Sequence, residues 1–460
     1  MSMINKALLE RYRCAESLAR FSLTAGLAPA TGFFRFGPNV IGFGRTVAGD
    51  VQSTPETPLA DNAKGATAGN SQVYLPFDPD QVVDNLRLER YAKDHNLNGT
   101  QPFPKKVLRN AYYSLRPLFP VSVRRHFQKV YLRGWAERPF PKWPVDVTVE
   151  NLLEDCLKLA MQANGVSEVP FIWFWPNGAN ACALMTHDVE TDAGKNFSAT
   201  LMDINDSFKI PASFQIVPEM RYEVDQIYLD SIRSRGNEVA VQDLNHDGHL
   251  YSNREQFLER AKRIRAYKQE FGASGFRAAI LYRNLDWLPE LGFSYDMSVP
   301  NVGHLDPQSG GCCTVFPYFI RDTLEIPVTA IQDYSLFHIL GEYGIELWKR
   351  QAGISLAKHG LIHFIVHPDY IIDEKPRQTY KALLEYIVSL RSEKNVWVTL
   401  PREVDQWWRA RSEMKLARDG DSWRVEGPDS ARASVAYATL DGDKIKYFIK
   451  RSNVAEEVRP

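Results

Sequence analysis

Three short clusters in this chain carry side chains that could hold a cation or move a proton. The first is Thr186-His-Asp188-Val-Glu190, where an apolar run from Ala183 ends abruptly in acids. It follows Phe171-Ile-Trp-Phe-Trp175 and a Pro-Asn-Gly turn, so it reads as a buried strand entered through a loop. Side chains alternate along a strand, which puts Asp188 and Glu190 on one face and His187 and Val189 on the other. Two carboxylates at the end of a buried strand are costly unless paired, protonated or bound to a metal. The second cluster is Gln242-Asp-Leu-Asn-His246-Asp-Gly-His249 and the third is His367-Pro-Asp-Tyr370. Carboxylates and imidazoles in this mixture suit a divalent first-row ion such as zinc, with other acids and histidines left to act on protons.

The elements that must position these clusters lie between about residues 146 and 410, where strand and helix patterns alternate. Strand-like runs fall at 171–175, 182–187, 212–217, 238–242, 275–279, 295–298, 324–327, 361–367 and 397–399. Helical runs separate them at 152–163, 196–208, 222–235, 253–271, 285–291, 336–352 and 378–392. Repeated βα units of this length imply parallel strands with helical crossovers. Polar residues at the C-terminal ends of several strands fit an α/β fold of the (β/α) barrel kind, whose site is built at that end. Residues 1–100 form an N-terminal extension with a helical pattern over 1–24, short strands, and a loop over 52–71 rich in Ser, Thr, Pro, Ala and Gly. Residues 411–460 return to short strands and read as a small β appendage.

Residues 101–145 differ in character. Between 101 and 143 stand ten basic residues and one acid, Glu137, with Tyr112, Tyr113, Phe119, Phe127, Tyr131 and Trp135 interleaved. Such a segment reads as a basic helical linker and could lie on an anionic membrane surface. The 460-residue chain is otherwise balanced, 44% apolar and 24% charged with a formal net charge of −1, which points to no nucleic-acid partner. Cys14, Cys156, Cys182, Cys312 and Cys313 make neither a CxxC pair nor an even framework, so a reducing compartment is expected. The N-terminus lacks the apolar core of a secretory signal, and the expected location is the cytoplasm.

Taken in order, the clusters resemble the motifs of the polysaccharide deacetylases, the NodB-homology domains of carbohydrate esterase family 4. Thr186-His-Asp188-Val-Glu190 is similar to the first motif; on that likeness Asp188 stands for the catalytic base and Glu190 for a metal-binding acid. Gln242-Asp-Leu-Asn-His246 resembles the His-x-x-x-His motif with only its second histidine kept. Gly275-Phe-Arg277-Ala-Ala279 keeps the arginine of the third and lacks its proline. Phe293-Ser-Tyr-Asp296-Met-Ser298 resembles a Tyr-Asp-x-Ser strand, and Ile365-Val-His367 matches a Leu-x-His ending.

The resemblance implies an irregular (β/α) barrel and a metal-dependent hydrolase that removes N-acetyl groups from a glycan. An exopolysaccharide-associated subgroup is suggested by 310–317, 325–327 and 401–408. Asp188, His367 and Arg277 are the expected catalytic groups, with Arg277 holding Asp188. Glu190, His246 and Gln242 are the expected metal ligands, with His249, Asp243 or Asp247 able to take over from Gln242. Asp296, Asp333 and Tyr282 are expected on the substrate side, Asp333 also as the acid that orients His367. A binding protein without chemistry remains the alternative, because Gln242 is a poorer ligand than imidazole. Nothing in the sequence speaks to oligomeric state.

Overall fold

The computed structural model describes residues 2–92, 134–420, 422–451 and 454–457. Residues 93–133, and with them most of the basic aromatic stretch 101–143 and the membrane contact expected of it, lie outside the described residues. Among those described, no helix is long and apolar enough to cross a membrane.

The organising strand is Ala181–Val189, buried along its whole length. It has parallel neighbours on both sides. Leu361–Val366 runs beside it with Ile365 opposite Thr186, and Ser213–Ile216 lies on the other side with Gln215 opposite Asp188. From Ser213–Ile216 the parallel order continues through Glu238–Gln242, Gly275–Arg277 and Tyr295–Asp296 to Thr323–Glu325. Residues 326–330 then bridge back to the start: Val328 N–H donates to Val299 O at 2.9 Å and Ala330 N–H to His363 O at 3.1 Å. The sheet thus curls into an irregular (β/α) half-barrel whose two ends meet through these loop hydrogen bonds rather than by strand pairing. Val396–Thr399 pairs with the first half of the central strand, and Tyr318–Ile320 adds an antiparallel edge.

Register sets what faces what. Gln242 stands opposite Arg277, and Asp296 opposite Glu325, so four polar side chains share the C-terminal end of the barrel interior. The helices that cover the barrel start where their caps dictate. Thr191 Oγ1 accepts from Gly194 N–H at 3.0 Å and opens Asp192–Ser207, which fixes Glu190 at the strand-to-helix turn. Asp225 and Asn253 cap the helices Gln226–Arg233 and Arg254–Glu270 in the same way.

Several elements differ from the sequence reading. The first helix is only Lys6–Tyr12, ended by Arg13 in the left-handed region, and Arg20–Leu23 is a strand. The expected helix over 336–352 breaks at Gly341, with φ +76°, and resumes as Glu346–Ala357. Residues 285–291 form one short turn, Leu288–Leu291, rather than a helix. The expected strand over 171–175 is Glu168–Ile172, and it stays outside the barrel, pairing antiparallel with Val435–Asp441 from the chain's end. Local periodicity says nothing about which of two distant strands a neighbour will be. The 52–71 segment is tied down by Gln52, which exchanges backbone hydrogen bonds with Phe33, and by the strand Thr67–Gly69.

The N- and C-terminal parts share one apolar core with the base of the barrel. Tyr12, Phe171, Phe174 and Tyr447 are all buried there, and the Tyr12 and Tyr447 hydroxyls lie 2.7 Å apart. A charged contact ties the N-terminal part to the loops above the barrel. Glu89, fully buried with φ +52°, accepts Arg283 Nε at 2.6 Å and Gly311 N–H at 2.5 Å, and also pairs with Arg283 Nη2. Removing one member of such a pair strands the other charge in a medium that cannot solvate it. Glu89→Ala should cost about 3–5 kcal/mol in guanidinium unfolding, whereas Glu259→Ala, which breaks an exposed pair with Lys262, should leave the midpoint unchanged.

Candidate active site

Glu190 is the meeting point. Its Oε1 lies 2.7 Å from His246 Nε2, 3.4 Å from His367 Nε2 and 3.0 Å from Gln242 Nε2. Asp188, two residues earlier on the same strand face, accepts Gln242 Nε2 at 3.2 Å through its other side. One donor atom each from Asp188, Glu190 and His367 lies within 4.8 Å of the other two, the spacing of ligands around a single ion.

Each of these groups is held from behind. Arg277, fully buried, donates from Nη1 to Asp188 Oδ1 at 2.5 Å. His367 is gripped twice by Asp333: Nδ1 lies 2.6 Å from Oδ1, and the backbone N–H donates to Oδ2 at 2.7 Å. The Tyr370 ring packs on the imidazole with centroids 4.8 Å apart. His246 rides a loop whose backbone is left-handed at Asp243 (φ +51°) and at His246 itself (φ +56°). Non-glycine residues adopt that region at a cost that the surrounding structure must overcome. Here Arg277 O accepts the Asp243 N–H at 2.9 Å, and Arg221 Nη2 donates to His246 O at 2.6 Å.

The charges lock together. Burial would raise the Glu190 carboxyl, but His246 and His367 beside it hold it well below the usual carboxylate range. Burial would lower His367, yet Asp333 and Glu190 push it well above an ordinary imidazole. His246 is also raised, Glu190 outweighing burial.

Three expected site residues, His249, Asp296 and Tyr282, do not join the cluster, and Asp333 stands behind it as the acid that orients His367. His249 is exposed, its Nδ1 3.2 Å from Ser252 Oγ, and it does not reach the cluster. Asp296 is buried and accepts both the Ser298 N–H and the Ser298 hydroxyl, so it braces a strand end and is closed to substrate. Asp333 is equally buried, its carboxylate consumed by His367 and the Tyr334 N–H. Tyr282 is half-buried against the histidine loop, where a Cβ added at Gly248 (φ +74°) would come within 3.4 Å of its ring. Of the substitutes for Gln242, Asp247 is taken by a two-pronged contact with Arg260, whereas Asp243 uses only Oδ1, on the Leu244 N–H, and keeps a buried Oδ2 without a partner. Two supporting residues were not singled out from sequence, Arg221 and His363. His363 had a readable signal: in the strand Leu361–Val366 it sits four residues before His367, and even spacing puts both on one face.

The residues present fit a divalent ion. His246 Nε2 is buried and lies 2.7 Å from Glu190 Oε1, an imidazole nitrogen set against a carboxylate. Gln242 Oε1 is buried with no partner at all. Two carboxylates and two imidazoles converging this closely are what a hard or borderline cation satisfies, although Gln242 turns its Nε2 to the acids, leaving Oε1 on the other side of the amide.

No protein-family model matches this chain, and no curated protein does. Comparison with solved structures does return matches. The structures it resembles are polysaccharide deacetylases and their kin. A protein of Mycobacterium smegmatis assigned as a polysaccharide deacetylase is 19% identical, with a TM-score of 0.42 over 55% of this chain and 98% of that one. A family 4 acetyl xylan esterase of Clostridium thermocellum, solved with cobalt, is 11% identical, covering 49% of this chain and 91% of its own, TM-score 0.32. The peptidoglycan deacetylase PdaC of Bacillus subtilis is 12% identical over 50% and 93%, TM-score 0.30. At these values the likeness carries no inference about chemistry, which has to come from this chain's own side chains.

The locked charges predict a pH signature in chelator-treated protein. Glu190, held low, adds stability above the unfolded carboxylate value of about 4.3, which is lost as pH falls through its folded value. His367 and His246, held high, add stability below about 6.5, lost as pH rises through their folded values. The contribution of these three groups to the unfolding free energy should therefore be fullest between roughly pH 4.5 and 6.5. Asp333→Asn should flatten the alkaline decline in denaturant titrations run across pH.

Proposed function

We propose that this chain is a metal-dependent hydrolase that removes N-acetyl groups from a polysaccharide or its precursor. The observation that carries the reading is the pairing of two separately braced groups, Asp188 on Arg277 and His367 on Asp333, on either side of Glu190. Hydrolysis of an acetamide needs a base for the attacking water and an acid for the departing amine. Asp188, paired with Arg277, takes the water proton. His367, its Nδ1 turned to Asp333, presents Nε2 to the site and returns a proton to nitrogen. Glu190 and His246 would hold the cation, and Gln242 would join them through Oε1 only with its amide turned over, since Nε2 faces both acids. Bound there, a divalent ion supplies acidified water and a polarised acetyl carbonyl.

Gln242 favours a second reading. Its amide donates to both carboxylates at the position where the resembling motif carries a histidine. A glycan-binding protein without chemistry would tolerate that exchange.

Metal titration and acetate release from a panel of N-acetylated oligosaccharides separate the two. For the enzyme, Asp188→Asn and His367→Ala each lower kcat by at least about 10²-fold, and Asp188→Asn leaves metal affinity within a few-fold. Glu190→Gln and His246→Ala weaken the metal instead, and His249→Ala does neither. Glycan binding with no acetate released by the wild type would establish the second reading.

A further inference from the structure

Arg277 is the deepest charged group of the site, and the way its donors are shared is uneven. Nε donates to Met297 O at 3.0 Å, and Nη1 to Thr186 Oγ1 at 3.0 Å and to Asp188. On the far side of the fork, Nη2 lies 3.0 Å from His363 Nε2. Of these four partners only Asp188 carries charge. We propose that His363 is a positioning residue: a neutral imidazole wedged between Pro327 O and the Arg277 guanidinium, which aims Nη1 at Asp188 without competing for the positive charge. The proposal rests on the assignment of Asp188 as the base.

The geometry dictates the tautomer. His363 Nδ1 lies 3.1 Å from Pro327 O, a pure acceptor, so the proton must sit on Nδ1. Nε2 then offers a lone pair, which is what Arg277, with no acceptor of its own, requires. Burial and the adjacent guanidinium keep the ring neutral. Thr186 closes the arrangement, because its hydroxyl donates to Phe364 O at 2.8 Å and turns a lone pair to Nη1. The strand bearing His363 is also held by Thr329, whose hydroxyl accepts the His363 N–H at 2.9 Å. Backbone to imidazole to guanidinium to carboxylate is therefore one continuous chain, anchored at the closure of the barrel.

Alternatives at position 363 show why a neutral acceptor matters. An apolar residue would leave Nη2 buried without a partner. A carboxylate would satisfy Nη2 but draw the guanidinium toward itself, away from Asp188, and would face the Pro327 carbonyl with like polarity. Glutamine can reproduce both contacts, accepting from Arg277 and donating to Pro327 O.

The test is the near-isosteric pair His363→Gln and His363→Glu, with His363→Leu beside them. Melting temperature and acetate-release kinetics are measured on the metal-loaded protein, and crystal structures are solved for each. Gln should keep kcat within about five-fold, whereas Glu and Leu should lose about 10²-fold in kcat with KM little changed, the scale of a misaimed catalytic group. In their structures the Arg277–Asp188 contact should open. A role confined to filling and satisfying the core predicts instead that Glu rescues as well as Gln, and that result overturns the proposal. So does a Leu variant with wild-type kcat. If wild type releases no acetate from any substrate, the functional reading fails, and the crystal structures decide this one. An unmoved Arg277–Asp188 contact in both the Glu and Leu variants would then refute it.

Discussion

A guanidinium sealed inside the barrel, with one carboxylate to share its charge, is the constraint on which the site depends. A buried ion pair carries a large desolvation cost that only good geometry and further hydrogen bonds offset. The contacts of Arg277 come from three other barrel strands and the turns that follow them. Asp188 and Thr186 lie on the central strand, Met297 O just past a second, and His363 on the strand beside the closure, with Arg277 itself on another. Placing this one side chain therefore sets the relative heights of strands far apart in sequence. Gln242, opposite Arg277 in register, is brought onto both acids by the same alignment.

The acid side of the site obeys a parallel logic with opposite charges. Asp333 is wholly buried, and the imidazole of His367 together with two backbone N–H groups satisfies it. Asp188 and His367 thus each have a buried partner of opposite sign, and each partner lies behind the reactive group, away from the space where Glu190, His246 and Gln242 converge. Chemistry at an active site needs groups that are fixed without being consumed. Asp296 shows the contrast, since its carboxylate is spent on Ser298 and faces a second buried acid, Glu325, whose carboxyl burial and Asp296 together push well above the usual range.

The parts outside the barrel are not passive additions. Glu89 of the N-terminal region holds Arg283 and the Gly311 backbone, in the loops that follow two barrel strands, and Tyr91 donates to Gly311 O at 2.6 Å. Below the barrel, Val435–Asp441 pairs with Glu168–Ile172, the strand that leads toward Ala181–Val189. The two ends of the chain therefore meet below the barrel, and the N-terminal part reaches from there to the loops above it.

By itself the amino-acid sequence determined what periodicity and residue chemistry can carry. Alternation along 183–190 already puts Asp188 and Glu190 on one face, and the succession of strand and helix runs from 146 to 410 implies parallel strands with sites at their C-terminal ends. These are local properties, written within a few residues of each other. Only the tertiary structure decided which of the nearby acids and histidines share a space. His246 and His249 lie in one loop, yet the left-handed backbone at His246 turns it toward Glu190, while His249 faces water. Asp296 and Asp333 both follow strands that read alike, but one is spent on its own turn and the other braces a histidine 34 residues away. His363 carried the right spacing and no sign of its partner, because Arg277 is 86 positions distant. Spacing along a chain fixes direction within an element, whereas convergence depends on register between elements. Register follows from burial and hydrogen-bond satisfaction summed over the whole fold.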